Sequence, residues 1–335
     1  VPRLPDFIKP QLATLVEAPP PGRYAYEIKF DGYRMVCRVD EAGVRFFSRT
    51  AKDWTPKLAD LAARIEALDL AGTGWLDGEI VVMDEFGISS FQRLQNAMDR
   101  SVAKQVQFVA FDIPYWNGTN LRDYPFSERA KALQAVLAGV PDSAAIVRSV
   151  VAEVESADDA ASLLAQACER QLEGLIGKRM DAPYRAGRTD TWIKLKCRPR
   201  QEFIVGGWTN PGGSRTGFGA LLVGLRDGPK LRYSGRVGTG FSQRTIDMIM
   251  KRLAPLATDE MPFAARPEMS DRWGGNSKPT MHWVRPELVV EVAYTTITDA
   301  GILRQASFQG VREDKPARQV TGEKASHVRN TMRSA

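Results

Sequence analysis

Histidine and cysteine are scarce in this chain, and their scarcity removes whole classes of chemistry. Among 335 residues there are two histidines, His282 and His327, and three cysteines, Cys37, Cys168 and Cys197. Two histidines cannot build a histidine metal cage, and they leave Ser-His-Asp catalysis without support. The cysteines have no CxxC spacing, which argues against a zinc site; they read as buried, reduced small residues in a reducing compartment. Acid–base or nucleophilic work therefore falls to Lys, Asp or Glu. Long apolar runs are missing too, since nothing approaches the ~18 residues that a membrane-spanning helix needs. No signal-like segment opens the chain, so the expectation is an intracellular, cytoplasmic protein without membrane contact. The first residue is Val1 rather than Met, as expected of a domain taken from a longer protein. The glycine stretch GGSRTGFG at 212–219 lacks the GK[ST] ending of a P-loop and reads as a strand-connecting loop. No internal repeat, heptad pattern or low-complexity block stands out.

What is present is an ordinary globular composition, 43% hydrophobic and 26% charged, over a length that suggests about two domains. The net charge of +6 is unevenly spread: residues 201–335 hold 19 Lys and Arg against 13 Asp and Glu, and residues 1–200 balance. Such asymmetry points to a polyanionic partner gripped by the C-terminal part.

Residues 1–200 alternate strand-like and helix-like patterns. Strands are expected at 24–30, 33–39, 43–48, 75–83, 106–113, 173–180 and 191–197, and helices at 54–68, 128–138 and 157–172. Ser156 and Asp159 have capping-box spacing at the start of the last helix. This is an α+β pattern with antiparallel sheets. Beyond about residue 200 come short strands with turn punctuation and one amphipathic helix at 242–254, which suggest a small closed β-barrel of the OB kind over 201–320. The polar stretch 321–335 is expected to be a loosely ordered tail.

Several strands carry charge on one face. In YEIKFDGYRM, Asp31-Gly32 has the form of a two-residue hairpin turn, which would set Lys29 opposite Arg34 and Ile28 opposite Met35. Like charges directly opposite are destabilising, so an anion is expected between them. In WLDGEIVVM, Asp77 and Glu79 share a face; in TWIKLKC, Lys194 and Lys196 do. Glu173 and Lys178 lie in similar strand context. Cations suited to phosphate, together with carboxylates suited to a hard cation, are the parts of a nucleotide-triphosphate site. Lys29, set beside another cation, is a candidate nucleophile, and a purely structural phosphate clamp is the alternative.

Taken in order, these segments resemble the motifs of covalent nucleotidyltransferases, specifically ATP-dependent DNA ligases. KFDGYR (29–34) matches the lysine motif K-x-D-G-x-R. SRT (48–50), LDGE (76–79), FVAFD (108–112), EGLIGK (173–178), WIKLK (192–196) and REDK (312–315), with Arg304 ahead of it, match the later motifs. The flanks FIKPQLATLVEAPPPG and FQGVREDKPAR are most similar to the ligase domain of bacterial ligase D of non-homologous end joining.

The resemblance implies an N-terminal adenylation (nucleotidyltransferase) domain over 1–200 followed by an OB-fold domain. It implies ATP as the nucleotide, Mg²⁺ or Mn²⁺ as the metal, and sealing of 5′-phosphate/3′-hydroxyl nicks through a lysyl-AMP on Lys29. Glu27 and Ile28 would meet the base, with Phe111 stacked on it; Arg34 and Arg49 would contact ribose or phosphates; Lys178, Lys194 and Lys196 would complete the nucleotide site. Glu79 and Glu173 would bind metal or ribose, and Arg304, Arg312, Asp314 and Lys315 would act on pyrophosphate when the OB domain closes. Implied partners are nicked double-stranded DNA, Ku and attached polymerase and phosphoesterase domains. A monomer associated with the bacterial nucleoid is expected. An mRNA-capping guanylyltransferase or an RNA ligase shares the lysine motif and stays open as an alternative, as does a catalytically silent nucleotide- or DNA-binding module.

Overall fold

Period-two alternation dominates the chain, and in the computed structural model it becomes sheets backed by a few helices. The structure describes residues 4–99, 105–141, 144–211, 216–267 and 280–323, and divides into two units, the chain passing from the first to the second between Cys197 and Arg198.

The first unit holds two sheets. One has the order β1 (Gln11–Leu15), β11 (Gly187–Lys196), β10 (Gly174–Arg179), β2 (Tyr24–Ile28) and β9 (Val151–Val154). The other has the order β4 (Gly43–Ser48), β3 (Tyr33–Asp40), β5 (Gly74–Val82), β6 (Val106–Trp116) and β7 (Thr119–Asn120), with β8 (Ile146–Arg148) on β6. Most pairs are antiparallel, but β1–β11 and β6–β8 are parallel, which corrects the all-antiparallel expectation.

Helix α4 (Ala157–Glu169) packs Ala160 and Ala167 on Tyr24, Tyr26, Leu175, Ile193 and Leu195, covering one face of the first sheet. Ser156 caps it, accepting a hydrogen bond from Asp159 N–H at 3.1 Å. Helices α1 (Ala59–Glu66), α2 (Phe91–Asp99) and α3 (Phe126–Val136) bury Leu61, Ile65, Leu94 and Leu133 against the second sheet. Between the sheets, Val36, Trp75 and Tyr115 meet Tyr184 and Trp192. The first unit is thus a helix–sheet–sheet–helix stack whose inner layer carries the charged faces.

The expected hairpin does not form. β2 and β3 lie in different sheets, so Tyr26 joins one core and Tyr33 and Met35 another. Asp31-Gly32 is a crossing between sheets rather than a turn. Gly32 passes so close to β5 that a Cβ there would lie 2.1 Å from the Ile80 carbonyl oxygen. Asp31 accepts from Phe91 N–H at 3.3 Å and donates its own N–H to Ser89 Oγ at 2.8 Å. The glycine answers a close approach, and the aspartate serves the start of α2.

The cysteines are a second correction. Cys37 is buried and free, whereas Cys168 and Cys197 form a disulfide with Cα atoms 5.1 Å apart. They are 29 residues apart, so no local spacing announces the pair. Folding brings the end of α4 beside the end of β11.

The second unit is built on the long strand β12 (Arg200–Thr209). It pairs with β13 (Ala220–Asp227) and β14 (Lys230–Val237) in series on one side. On its other side, β17 (Val289–Ala293) takes the first half and β16 (Met281–Val284) the second, and β20 (Ser307–Val311) pairs with β17. Helix α5 (Gln243–Leu253) buries Ile246, Ile249 and Leu253 against Phe203, Leu221 and Phe308. Two-residue strands β15 (Ala257–Thr258), β18 (Thr296–Ile297) and β19 (Leu303–Arg304) complete the unit. Among the described residues the ladder is not continuously closed: β14 and β20 are joined through one isolated bridge, Thr239 to Ser307. The arrangement is an OB-type partly open barrel rather than the fully closed one expected. Residues 212–215 of the glycine stretch and 324–335 of the expected tail, with His327, lie outside the described residues.

Candidate active site

Strand register assembles the site. Antiparallel pairing puts Glu27, Ile176 and Lys194 in one row across β2, β10 and β11, with Ala25, Lys178 and Trp192 in the next row of the same face. Past the end of β2, Lys29 N–H continues the ladder to the Gly174 carbonyl at 2.9 Å, and Lys196 pairs with Gly174 from the other side. Gly174, at φ +148°, has no room for a Cβ, which would lie 1.9 Å from the Leu195 carbonyl oxygen. The opposite face of these strands holds Tyr24, Tyr26, Leu175, Ile193 and Leu195 in the core. The alternation read from TWIKLKC is the alternation observed.

The Lys29 ammonium lies 2.5 Å from Glu173 Oε1, with Lys29 21% and Glu173 4% exposed. Arg34 sits elsewhere, on β3, where its cross-strand neighbour is Glu79. Its guanidinium forks onto Asp77 at 3.0 and 2.6 Å, and Tyr184 Oη donates to the same carboxylate at 2.6 Å. Burial alone would lower the pKa of Arg34, but the Asp77 carboxylate outweighs it and holds the group above its ordinary value. Arg34 also lies over Phe111 at 5.0 Å and Trp192 at 5.3 Å, tying one sheet to the other.

Lys178 is on this face but buried. Only 1% of its side chain is exposed; it donates to Glu27 at 2.7 Å and to the Phe111 carbonyl at 2.6 Å, enclosed by Phe111, Phe126 and Trp192. Burial raises the pKa of Glu27, with Lys178 opposing. Phe111 is half-buried, edge-on to Trp192 with centroids 6.1 Å apart.

Behind these groups, Asp77 and Asp112 stand directly opposite each other on β5 and β6. Asp77 is neutralised by Arg34, and Asp112 by the buried fork of Arg129 at 2.7 and 2.9 Å. Arg129, Tyr184 and Trp192 were not singled out from the sequence. The Trp-Ile-Lys-Leu-Lys alternation offered a signal for Trp192, but nothing local marks Arg129 or Tyr184. Arg49 is half-buried, and its Nε and Nη2 are enclosed without a hydrogen-bond partner.

In the second unit, Arg304 is exposed on β19, while the REDK segment is tied to its own unit. Arg312 forks onto Asp314 at 2.9 and 2.9 Å and reaches Glu291 at 3.1 Å, and Lys315 is ion-paired with Glu202. Among the described residues no cluster of three or more His, Cys, Asp or Glu side chains is arranged as a metal cage, and no helix is long and apolar enough to cross a membrane.

Residues 2–196 match the ATP dependent DNA ligase domain family, and residues 214–315 match the ATP dependent DNA ligase C terminal region. A multifunctional non-homologous end joining protein LigD of Pseudomonas aeruginosa is 44% identical over 324 residues, covering 96% of this chain and 37% of that protein. The LigD protein of Mycobacterium tuberculosis is 37% identical over 325 residues, covering 95% of this chain and 40% of its own length. The chain thus spans about two-fifths of the length of the curated relatives it matches. Among solved structures, a mycobacterial DNA ligase D complexed with ATP and MES superposes with a TM-score of 0.68 at 34% identity, covering 93% of this chain and 97% of that one. The ligase domain of M. tuberculosis LigD gives 0.50 at 34% identity, covering 94% and 98%. With a lysine motif at the edge of its charged sheet face and family matches over both units, this chain belongs to the ATP-dependent DNA ligases.

Proposed function

We propose that the chain seals nicked DNA through a lysyl-AMP on Lys29, acting in double-strand-break repair by non-homologous end joining. The observation that carries this reading is the Lys29 amine, paired with Glu173 at 2.5 Å, at the edge of a face lined by Lys194 and Lys196. Lys29 Nζ forms a bond to the α-phosphorus of ATP while the bond to the β-phosphate breaks, and pyrophosphate leaves. AMP then passes to the 5′-phosphate of the nick, and the 3′-hydroxyl displaces it.

Lys194 and Lys196 neutralise the α-phosphate, and Glu27 and Phe111 orient the base. Lys178 acts through Glu27 and Phe111 rather than on the nucleotide. Arg34 holds the two sheets and the ribose side of the site, and Arg49 offers an enclosed, unspent guanidinium to the nick phosphate. Mg²⁺ or Mn²⁺ would supply neutralisation of the triphosphate charge, with Glu79 and Glu173 as oxygen donors that suit a hard cation. Glu173 accepts from the Lys29 ammonium and so holds the nucleophile at the edge of this face. Arg312 and Lys315 serve pyrophosphate departure. Positioning and charge neutralisation carry most of such a phosphoryl transfer.

The LigD relatives are named for non-homologous end joining, and the chain spans about two-fifths of their length; Ku, attached polymerase and phosphoesterase domains, a monomeric state and nucleoid association belong to the same proposal.

The test strips the protein with pyrophosphate and offers α-labelled ATP or GTP with Mg²⁺. Label from ATP alone, lost in Lys29→Ala, is the expected result. Label from GTP would favour a capping activity, and no label from either would favour a silent module.

A further inference from the structure

We propose that Glu202 and Glu291 are positioning residues for the adenylation step, holding Arg312 and Lys315 in a carboxylate cage that competes with the leaving pyrophosphate of ATP for both cations. This rests on the reading of Arg312 and Lys315 given above, and adds what sets their availability.

The register places Glu202 on β12 directly opposite Glu291 on β17. Two like charges in that relation repel and hold together only when cations bridge them. Asp77 and Asp112 are opposed in the same way, and each takes an arginine of the sheet-and-helix framework. Glu202 and Glu291 instead draw cations from the REDK segment just beyond β20. Arg312 Nη1 donates to Glu291 at 3.1 Å, its Nε lies 4.0 Å from Glu202, and Lys315 pairs with the other Glu202 oxygen.

Arg312 Nε and Nη2 also donate to Asp314, at 2.9 and 2.9 Å. The side chains of Arg312 and Lys315 are only 14% and 13% exposed. Three of the five guanidinium N–H donors are thus engaged by carboxylates, and a phosphate gripped by the same fork competes with those bonds. Backbone anchoring keeps the segment in register, since Arg312 N–H donates to the Val289 carbonyl at 2.8 Å. The carboxylates are therefore competitors for the same donors that the triphosphate needs. Removing one carboxylate charge weakens the cage while leaving Arg312 and Lys315 in the chain.

The experiment measures lysyl-AMP formation against ATP concentration in Glu291→Gln, Glu291→Asp and Arg312→Ala, alongside sealing of a pre-adenylated nick, which needs no pyrophosphate departure. Glu291→Gln is expected to lower the KM for ATP several-fold at unchanged sealing of the pre-adenylated nick, with Glu291→Asp close to the parent. Arg312→Ala is expected to impair lysyl-AMP formation. An impaired Arg312→Ala with an unchanged or raised KM in Glu291→Gln would mean that the carboxylate is only structural, and would overturn the proposal alone. An unimpaired Arg312→Ala would overturn the pyrophosphate reading itself. Glu202→Gln, which acts through Lys315, gives the same comparison if Glu291→Gln does not fold.

Discussion

At the scale of single residues, this protein places charges inside a sheet sandwich and gives each a fixed counter-charge. Asp112 and Arg129 are both fully buried. Burial raises the Asp112 pKa, but the Arg129 charge and its forked hydrogen bonds, with Lys178 nearby, bring it below the ordinary carboxylate range. A depressed carboxylate contributes stability that is present above its unfolded pKa, about 3.9, and lost as pH falls through the folded value. Asp112→Asn leaves Arg129 buried and uncompensated, so the variant is expected to lose about 3–5 kcal/mol at neutral pH. Its stability should also vary less than the parent's below about pH 4. Urea unfolding of both proteins over a pH series checks this, and equal acid slopes would sink it.

Arg49 poses the opposite situation, an enclosed guanidinium with Nε and Nη2 unspent. A charge-assisted contact contributes roughly 1.5–3 kcal/mol, so Arg49→Ala is expected to slow nick sealing by about 10–100-fold. Lysyl-AMP formation should survive. Single-turnover assays of the two steps separate these outcomes, and equal losses in both would place Arg49 on the nucleotide instead.

At the scale of elements, the Cys168–Cys197 bond ties the end of α4 to the end of β11. Cys197 N–H also donates to the Glu173 carbonyl at 3.0 Å, so the link adjoins Lys196 in sequence and is bonded directly to the backbone of Glu173, the partner of Lys29. Closing a loop with a 29-residue separation is worth about 3–4 kcal/mol in the chain-entropy account. Thiol reduction, or Cys168→Ser, is expected to lower the urea midpoint of the first unit accordingly. A midpoint that does not move on reduction would show that the two sulfurs are not joined in solution.

The same elements show what the residues reveal before folding. Strand faces were legible because their period is local: Lys194 and Lys196 had to part from Ile193 and Leu195 whichever sheet they joined. Strand partners were not legible, because pairing is non-local and Asp31-Gly32 carries the composition of a turn while serving a crossing. The Lys29–Arg34 apposition failed for that reason, and the motif order still brought Lys29 to Glu173 across 144 positions of sequence. Arg129 and Tyr184 were invisible, since nothing in a helical arginine or a loop tyrosine tells which buried aspartate it will meet.

At the scale of the whole molecule, each unit has its own core, and the excess charge of +6 lies within residues 201–335, half of it within 201–323. Strand β14 presents Lys230, Arg232 and Arg236 as exposed side chains, alternating with the buried Leu231 and Val237. Cations spaced along a strand meet a polyanion through phosphate contacts, each of which releases counterions from DNA. Six such contacts correspond to a slope of about −5 in the log of nick affinity against the log of salt concentration. Arg236→Ala removes one exposed cation without touching the core, so it should weaken binding to any DNA sequence alike and reduce the slope by about 1. Fluorescence-anisotropy titrations of a nicked duplex across a salt series give both slopes directly. Parallel lines for parent and variant would move the DNA-contacting surface away from β14, whereas a slope near zero in the parent would mean that the basic excess has no part in gripping the nick.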